Sequence, residues 1–319
     1  MNNTNHLKLL VTGATGFVGS ALVESLLNSK CYHVVSAARR TVEKAPLRQQ
    51  SVLVDDISAA TDWTQAVKNI DVVIHTAARA HIMNELTQNP LVEFRRVNVE
   101  GTLNLARQAI DAGVKRFIFI SSIKVNGEGE SNRAYRFDDT AAPEDDYGLS
   151  KWEAEQGLKA LCSESAMELV VIRPPLIYGP GVKGNLALLA KAIDKELPLP
   201  LGAIKNQRDM LSLNNLIDLI KTCIEHPAAA GQVFLCCDNE PVSTPELIKL
   251  IASGRERNAH LWSLPIFILN MLASLTGKQA MVKRLSSDFR IDIRHTMDTL
   301  DWKPPFSVAE SMRWAFAEK

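Results

Sequence analysis

Leu7-Lys8-Leu9-Leu10-Val11, followed by Thr12-Gly13-Ala14-Thr15-Gly16-Phe17-Val18-Gly19, is the stretch from which the fold of this chain is read. An apolar run ends in a glycine-rich turn, and an amphipathic segment, Ala21 to Leu27, opens beyond it. A strand therefore turns sharply into a helix. Such a turn needs backbone without Cβ, so that N–H groups and the positive end of a helix dipole can approach an anion. Any tight strand-to-helix turn can call for glycine. The correct flanks on both sides make this one a site for a dinucleotide pyrophosphate, lined by Gly13, Thr15, Gly16, Phe17, Val18 and Gly19.

Working outward, short β-branched runs recur at Val34 to Ala37, Val52 to Val54, Val72 to His75, Phe117 to Ile120 and Leu169 to Ile172. Helical patterns lie between most of them, at Ser20 to Leu27, Trp63 to Val67, Val92 to Ala112 and Lys151 to Leu161. This alternation predicts an α/β fold, a doubly wound parallel sheet covered on both faces. Ligands in such sheets bind beyond the carboxyl ends of the strands.

The 319 residues suit one large or two unequal domains. Lys and Arg (36) balance Asp and Glu (36), and no basic tract is dense enough to follow a nucleic-acid backbone. Five cysteines form no Cys-x-x-Cys pair, and an odd count does not build a disulfide framework, which fits a reducing cytoplasm. No metal-ligand spacing stands out. The N-terminus lacks the pattern of a signal peptide. Leu261 to Leu275 is apolar but carries Pro265 and Asn270, and is too short to span a bilayer comfortably. It reads as a buried or groove-lining helix, with peripheral attachment to the inner membrane as the alternative.

Polar signals fall at strand ends. After the second strand, where an acid would hold the ribose hydroxyls of NAD, stand Ala38-Arg39-Arg40; two arginines suit a 2′-phosphate and so NADP(H), with NAD(H) and a solvated basic loop as alternatives. After the third, Asp56 with Ile57 is placed to meet an adenine, whereas Asp55 reads equally as a turn residue. Small residues Thr76, Ala77 and Ala78 let a cofactor run close to the backbone after the fourth, and His75 reads as structural. Asn98 is an amide on an apolar face and needs partners, tying strand to helix or shaping the site.

The fifth strand ends in Ser121-Ser122, and Tyr147 and Lys151 follow at i, i+4. A phenol titrates near 10, but an ammonium one turn away and a cationic nicotinamide favour its phenolate. Serine can then hydrogen-bond the substrate oxygen while hydride moves. Tyr-x-x-x-Lys alone also describes an exposed helical face; the serine and the glycine turn make it a constellation.

With these motifs the chain resembles the extended short-chain dehydrogenase/reductases of the NAD-dependent epimerase/dehydratase family, from Leu7 to about residue 316. The resemblance rests on Gly13, Gly16 and Gly19, Asp56-Ile57, Asn98 in Asn-Val-x-Gly-Thr, and Tyr147 with Lys151. It implies a Rossmann-type dinucleotide domain over residues 1–175 and a smaller α/β nucleotide-sugar portion over 176–319, which can return elements to the first. Aligning Val125-Asn126-Gly127 on the family's Val-Tyr-Gly makes Ser122 the catalytic hydroxyl, with Tyr147 and Lys151 both catalytic and cofactor-binding. Asn126 departs from the family's tyrosine. Arg173-Pro174 opens a segment lining the nicotinamide end, Asn185 matches a diphosphate position, and Arg208 of Arg208-Asp209 matches an arginine reaching the nucleotide, with a surface arginine as its alternative. Lys124 joins Ser122, Asn185 and Arg208 on the substrate side. Leu300-Asp301-Trp302 stands where the family has Leu-Gly-Trp. The family also implies a homodimer through Val92 to Ala112 and the helix from Lys151.

Dehydratases of the family carry an Asp-Glu pair just after the serine or threonine; Ile123 and Lys124 stand there and argue against dehydration. Two reactions at C4 of a UDP-hexose or UDP-N-acetylhexosamine remain. Arg39-Arg40, and segments similar to a UDP-glucose 4-epimerase-like subgroup that includes 4-keto reductases of surface-polysaccharide synthesis, favour the 4-keto reductase. A 4-epimerase with tightly held NAD is the alternative. A non-catalytic NADP(H)-binding redox sensor, the reading from another class, typically lacks the Tyr or Lys present here.

Overall fold

In the computed structural model, which describes residues 6–39, 49–80, 89–128, 133–275, 277 and 279–317, the six apolar runs are strands. They are β1 (Leu7–Thr12), β2 (Tyr32–Ala38), β3 (Gln49–Leu53), β4 (Val72–His75), β5 (Arg116–Ile120) and β6 (Glu168–Arg173). Two short strands, β7 (Ile177–Tyr178) and β8 (Leu211–Ser212), pair only with each other. A strand outside the sequence reading, β9 (Val233–Leu235), completes a seven-stranded parallel sheet in the order β3-β2-β1-β4-β5-β6-β9. The order reverses between β1 and β4, where such sheets open a ligand crevice.

Both faces of the sheet are apolar because successive side chains point to opposite sides. Leu9, Val11, Ile74, Ile118 and Ile172 face one way and pack with helices α1 (Phe17–Ser29) and, further along the chain, α7 and α11. Leu10, Val73, Phe117, Phe119 and Val171 face the other, against α2 (Thr64–Val67), α4 (Thr102–Asp111) and α5 (Asp146–Ser163). The long helix expected at Val92 to Ala112 is instead α3 (Pro90–Phe94), a π-helical segment Arg95–Gly101, and α4.

Beyond residue 175 come α6 (Asn185–Asp194), α7 (Leu213–Glu225), α8 (Thr244–Gly254), α9 (Ile266–Leu275), α10 (Gln279–Ser286), α11 (Arg294–Leu300) and α12 (Val308–Phe316). From this half, β9, α7 and α11 return to the central sheet. Helices α6, α8 and α12 wrap a separate cluster, in which Tyr178 and Met210 pack with Leu186, Ile248, Ile251 and Met312, while α9 and α10 pack on each other.

Asp301 ends α11 at φ +46°, a left-handed conformation that glycine adopts freely and Asp tolerates. The turn places Trp302 so that its indole N–H donates to Asp218 at 2.8 Å. The family's glycine and this chain's aspartate thus answer the same backbone demand.

Candidate active site

Gly13 sits at φ +67°, and a Cβ there would stand 2.8 Å from the Ala77 nitrogen; one on Gly19 would stand 2.1 Å from the Gly13 carbonyl oxygen. No side chain caps the N-terminus of α1 at Gly16. A cradle that excludes side chains and opens onto a helix N-terminus fits the pyrophosphate of a dinucleotide. Thr15, Phe17 and Val18 lie in this turn and the first turn of α1. Thr76 locks β4 to β1, its hydroxyl donating to the Thr12 carbonyl at 2.6 Å, which holds Ala77 and Ala78 beside the cradle. His75 is structural: its ring bridges Thr12 Oγ1 (2.7 Å) and Thr102 Oγ1 (2.9 Å), and burial pushes it down to about 3, so it is neutral.

After β2 Arg39 is exposed, while Arg40 lies outside the described residues. Asp56 reaches Arg96, whose Nη1 donates to it at 2.7 Å and holds its carboxyl below the usual range. Ile57 rests against Gly101, where a Cβ would meet its methyl carbon at 2.5 Å. Asn98, in the π segment, clasps Arg79: its Oδ1 accepts from the Arg79 N–H at 2.8 Å, and its amide donates to the Arg79 carbonyl and to Ser150 Oγ. An i→i+5 turn inserts one residue into the helix, and such insertions are frequent at functional sites.

Ser122 follows β5, its Oγ accepting from the Lys124 N–H at 3.3 Å. Ser121 differs: its hydroxyl donates to the buried Glu155 at 2.5 Å, so its proton is committed to the core. Tyr147 stands in the first turn of α5, edge-on to Phe94, and Lys151 lies one turn further, fully buried. Lys151 Nζ donates to the Ile120 carbonyl at 2.8 Å and sits 4.5 Å from the Phe119 ring centre. Burial pushes Lys151 down to about 7, and burial with the nearby Asp145 carboxylate pushes Tyr147 up to about 12. Lys151 by itself thus does not offset the burial of Tyr147, and the phenolate expected there depends on the cationic nicotinamide as well.

Lys124 reaches two carboxylates, Glu128 (2.7 Å) and Asp145 (2.5 Å), which together raise its pKa against the effect of burial. Asp145 also caps α5, accepting from the Gly148 N–H at 2.7 Å. The segment after the serine is thereby tied to the helix end that carries Tyr147. Pro174 accepts from the Ile123 N–H at 3.0 Å, joining the same loop to the end of β6. Behind it, Arg173 makes a two-pronged bond to Glu155 (2.9 and 2.6 Å) and donates to Asn126 Oδ1 at 3.0 Å. Asn126 in turn donates to the Arg136 carbonyl. Where the family has tyrosine, this chain thus has a buried amide linking two loops.

Asp145 and Glu155 were absent from the sequence reading. Glu155 repeats the four-residue spacing of Tyr147 and Lys151, and a carboxylate on that stripe was the available signal. On the far side, Asn185 begins α6 and is exposed. Arg208 donates to the carbonyls of Arg284 and Ser287, both at 3.0 Å, and stacks over Phe289, 5.4 Å from its ring centre. Burial lowers its pKa, and its guanidinium is anchored at the end of α10. Among the described residues no group of His, Cys, Asp and Glu is placed to hold a metal ion.

The chain is similar to known proteins over most of its length. A UDP-glucose 4-epimerase of Vibrio cholerae is 49% identical over 309 residues, covering 96% of this chain and 93% of that one. An Escherichia coli O157:H7 N-acetyl-alpha-D-glucosaminyl-diphospho-ditrans,octacis-undecaprenol 4-epimerase is 27% identical, over 86% of this chain and 82% of its own. The structure of a Bacillus cereus UDP-glucuronic acid 4-epimerase in complex with UDP-glucuronic acid and NAD aligns over 97% of this chain and 98% of its own, with a TM-score of 0.78 at 22% identity, a likeness of fold. Residues 9–237 match the NAD dependent epimerase/dehydratase family, and this chain belongs to that family.

Proposed function

We propose that this chain is an NAD-dependent 4-epimerase of a UDP-linked hexose or N-acetylhexosamine. The observation that carries the reading is the 49% identity, over nearly the whole of both chains, to a relative described as a UDP-glucose 4-epimerase. Bound NAD would supply a hydride acceptor that returns the hydride, and a positive charge in its oxidised ring. The chain's own residues handle the sugar oxygen. Tyr147, as its phenolate, would take the 4-hydroxyl proton as hydride leaves C4 and return it to that oxygen when hydride comes back to the other face, and Ser122 holds the oxygen by a hydrogen bond. Lys151, fixed on the Ile120 carbonyl, orients the cofactor end of the site. Because Tyr147 rests near 12, proton removal needs the positive charge that arrives with the cofactor. Asn185 takes the diphosphate and Arg208 reaches the nucleotide's phosphate or ribose, in a substrate portion beyond residue 175.

The 4-keto reductase rests on Arg39-Arg40, of which only Arg39 is described, and on segment likeness. The named relatives favour the epimerase, and the neighbour that holds a cofactor holds NAD. A homodimer through the stretch from Val92 to Ala112 and α5 belongs to the same reading and is checked by sedimentation. Purified protein given UDP-glucose or UDP-GlcNAc without added cofactor should form the galacto epimer, with NAD among the nucleotides it releases on denaturation. Tyr147→Phe should lower that turnover at least ~100-fold while NAD stays bound. Consumption of NADPH with a UDP-4-keto-6-deoxy-HexNAc, and no epimer, would replace the reading by the reductase. Unchanged turnover in Tyr147→Phe would remove the tyrosine from the chemistry.

A further inference from the structure

Helix α9 is apolar on two sides, with Asn270 and Ser274 forming a narrow polar strip between them. Leu269 and Ala273 point inward and pack with Val282 of α10, as an amphipathic helix requires. The opposite side is equally apolar but lies in solvent: Phe267 is 70% exposed, Met271 57% and Leu275 79%, at successive intervals of four residues. Ile266 beside them and Trp262 ahead of the helix extend the same surface, the tryptophan 67% exposed. A contiguous apolar surface of this kind left in solvent marks an interaction site.

The charge around this surface is one-sided. From Arg257 to Ser287 the sequence contains no Asp or Glu, while Lys283 and Arg284 lie exposed in the last turn of α10, which packs on α9. Bulky apolar side chains with an aromatic at the margin and lysine or arginine alongside are what a helix lying in a headgroup layer presents. Among the described residues no helix is long and apolar enough to cross a membrane, so contact of this kind lies on the surface of a bilayer.

We propose that the α9–α10 hairpin docks this protein on an anionic phospholipid bilayer, with Phe267, Met271 and Leu275 entering the acyl boundary and Lys283 and Arg284 meeting lipid phosphates. The contact adjoins the substrate half of the molecule, because the Arg284 carbonyl at the end of the same hairpin anchors Arg208. The proposal is independent of which sugar or reaction the active site takes.

The test is flotation of the full chain with vesicles of phosphatidylglycerol and phosphatidylethanolamine, and in parallel with neutral phosphatidylcholine vesicles. The protein should float with the anionic vesicles and be released as salt is raised. Phe267→Ser combined with Leu275→Ser should weaken partition about tenfold or more. Lys283→Gln with Arg284→Gln should weaken it about tenfold on anionic vesicles only. Both variants should keep the wild-type circular dichroism, and the Phe267→Ser, Leu275→Ser protein should keep the wild-type turnover. Failure of the wild type to float would overturn the proposal, as would undiminished flotation of the Phe267→Ser, Leu275→Ser protein. A change from dimer to monomer in that variant with vesicle partition unaltered would instead assign the surface to a second copy of this chain.

Discussion

Burial moves Tyr147 and Lys151 in opposite directions, the phenol up to about 12 and the ammonium down to about 7, so both tend toward their uncharged forms. Each shift has a sign that can be checked. Below about pH 7 Lys151 is protonated in both the folded and unfolded chain, and the fold bears the full cost of a buried ammonium. Between about 7 and the ordinary lysine value of 10.5 the unfolded chain holds a proton that the fold has released, so stability rises with pH across that window. Thermal unfolding from pH 6 to 10 should therefore show a wild-type gain in Tm relative to Lys151→Met, which lacks the titrating group. Parallel curves for the two proteins would mean that Lys151 keeps an ordinary pKa.

At the level of elements, the site is assembled by ties between loops and helix ends. Asp145 serves three purposes: it caps α5, pairs with Lys124, and adds negative charge near Tyr147. Asp145→Ala should cost about 1–2 kcal/mol in denaturant unfolding, the range of a lost N-cap. Asp145→Asn should retain most of that stability, since an amide oxygen still caps, yet bring the Tyr147 phenol down by removing the carboxylate charge. Tyrosinate absorbance during alkaline titration reads the second effect, with Tyr147→Phe identifying the signal. These ties were largely illegible in the sequence. The i, i+4 spacing of Tyr147 and Lys151 showed which face they share, but of the two partners of Lys124, Asp145 lies 21 residues away and is chosen by the path of a loop. The π segment was equally hidden, because Asn98 and its neighbours fit an ordinary helical period; the demand comes from Arg79 on another element.

For the molecule as a whole, the parallel sheet was readable because its strands are buried on both faces and so appear as uninterrupted apolar runs. β9 escaped notice, being three residues long and separated from β6 by nearly sixty. What joins the sheet to the site is the Arg173–Glu155 pair, both side chains almost fully buried, together with Ser121 and Asn126. It fastens β5, β6 and α5 to one another. Removing one partner strands the other charge, so Glu155→Ala should cost about 3–5 kcal/mol, measured as a shift in the urea midpoint. A cost within 1 kcal/mol would show that water reaches Arg173. The π-helical segment sets one further condition on the whole. Each residue advances an α-helix by about 100°, so the residue inserted between α3 and α4 is a phase correction. Upstream of it the chain answers to the site, through Phe94 against Tyr147; downstream it answers to the sheet, through Leu105, Ala106 and Ala109. Deleting a single residue from Arg95–Gly101 would yield a more regular helix and a worse protein, because the two faces could no longer both be in register.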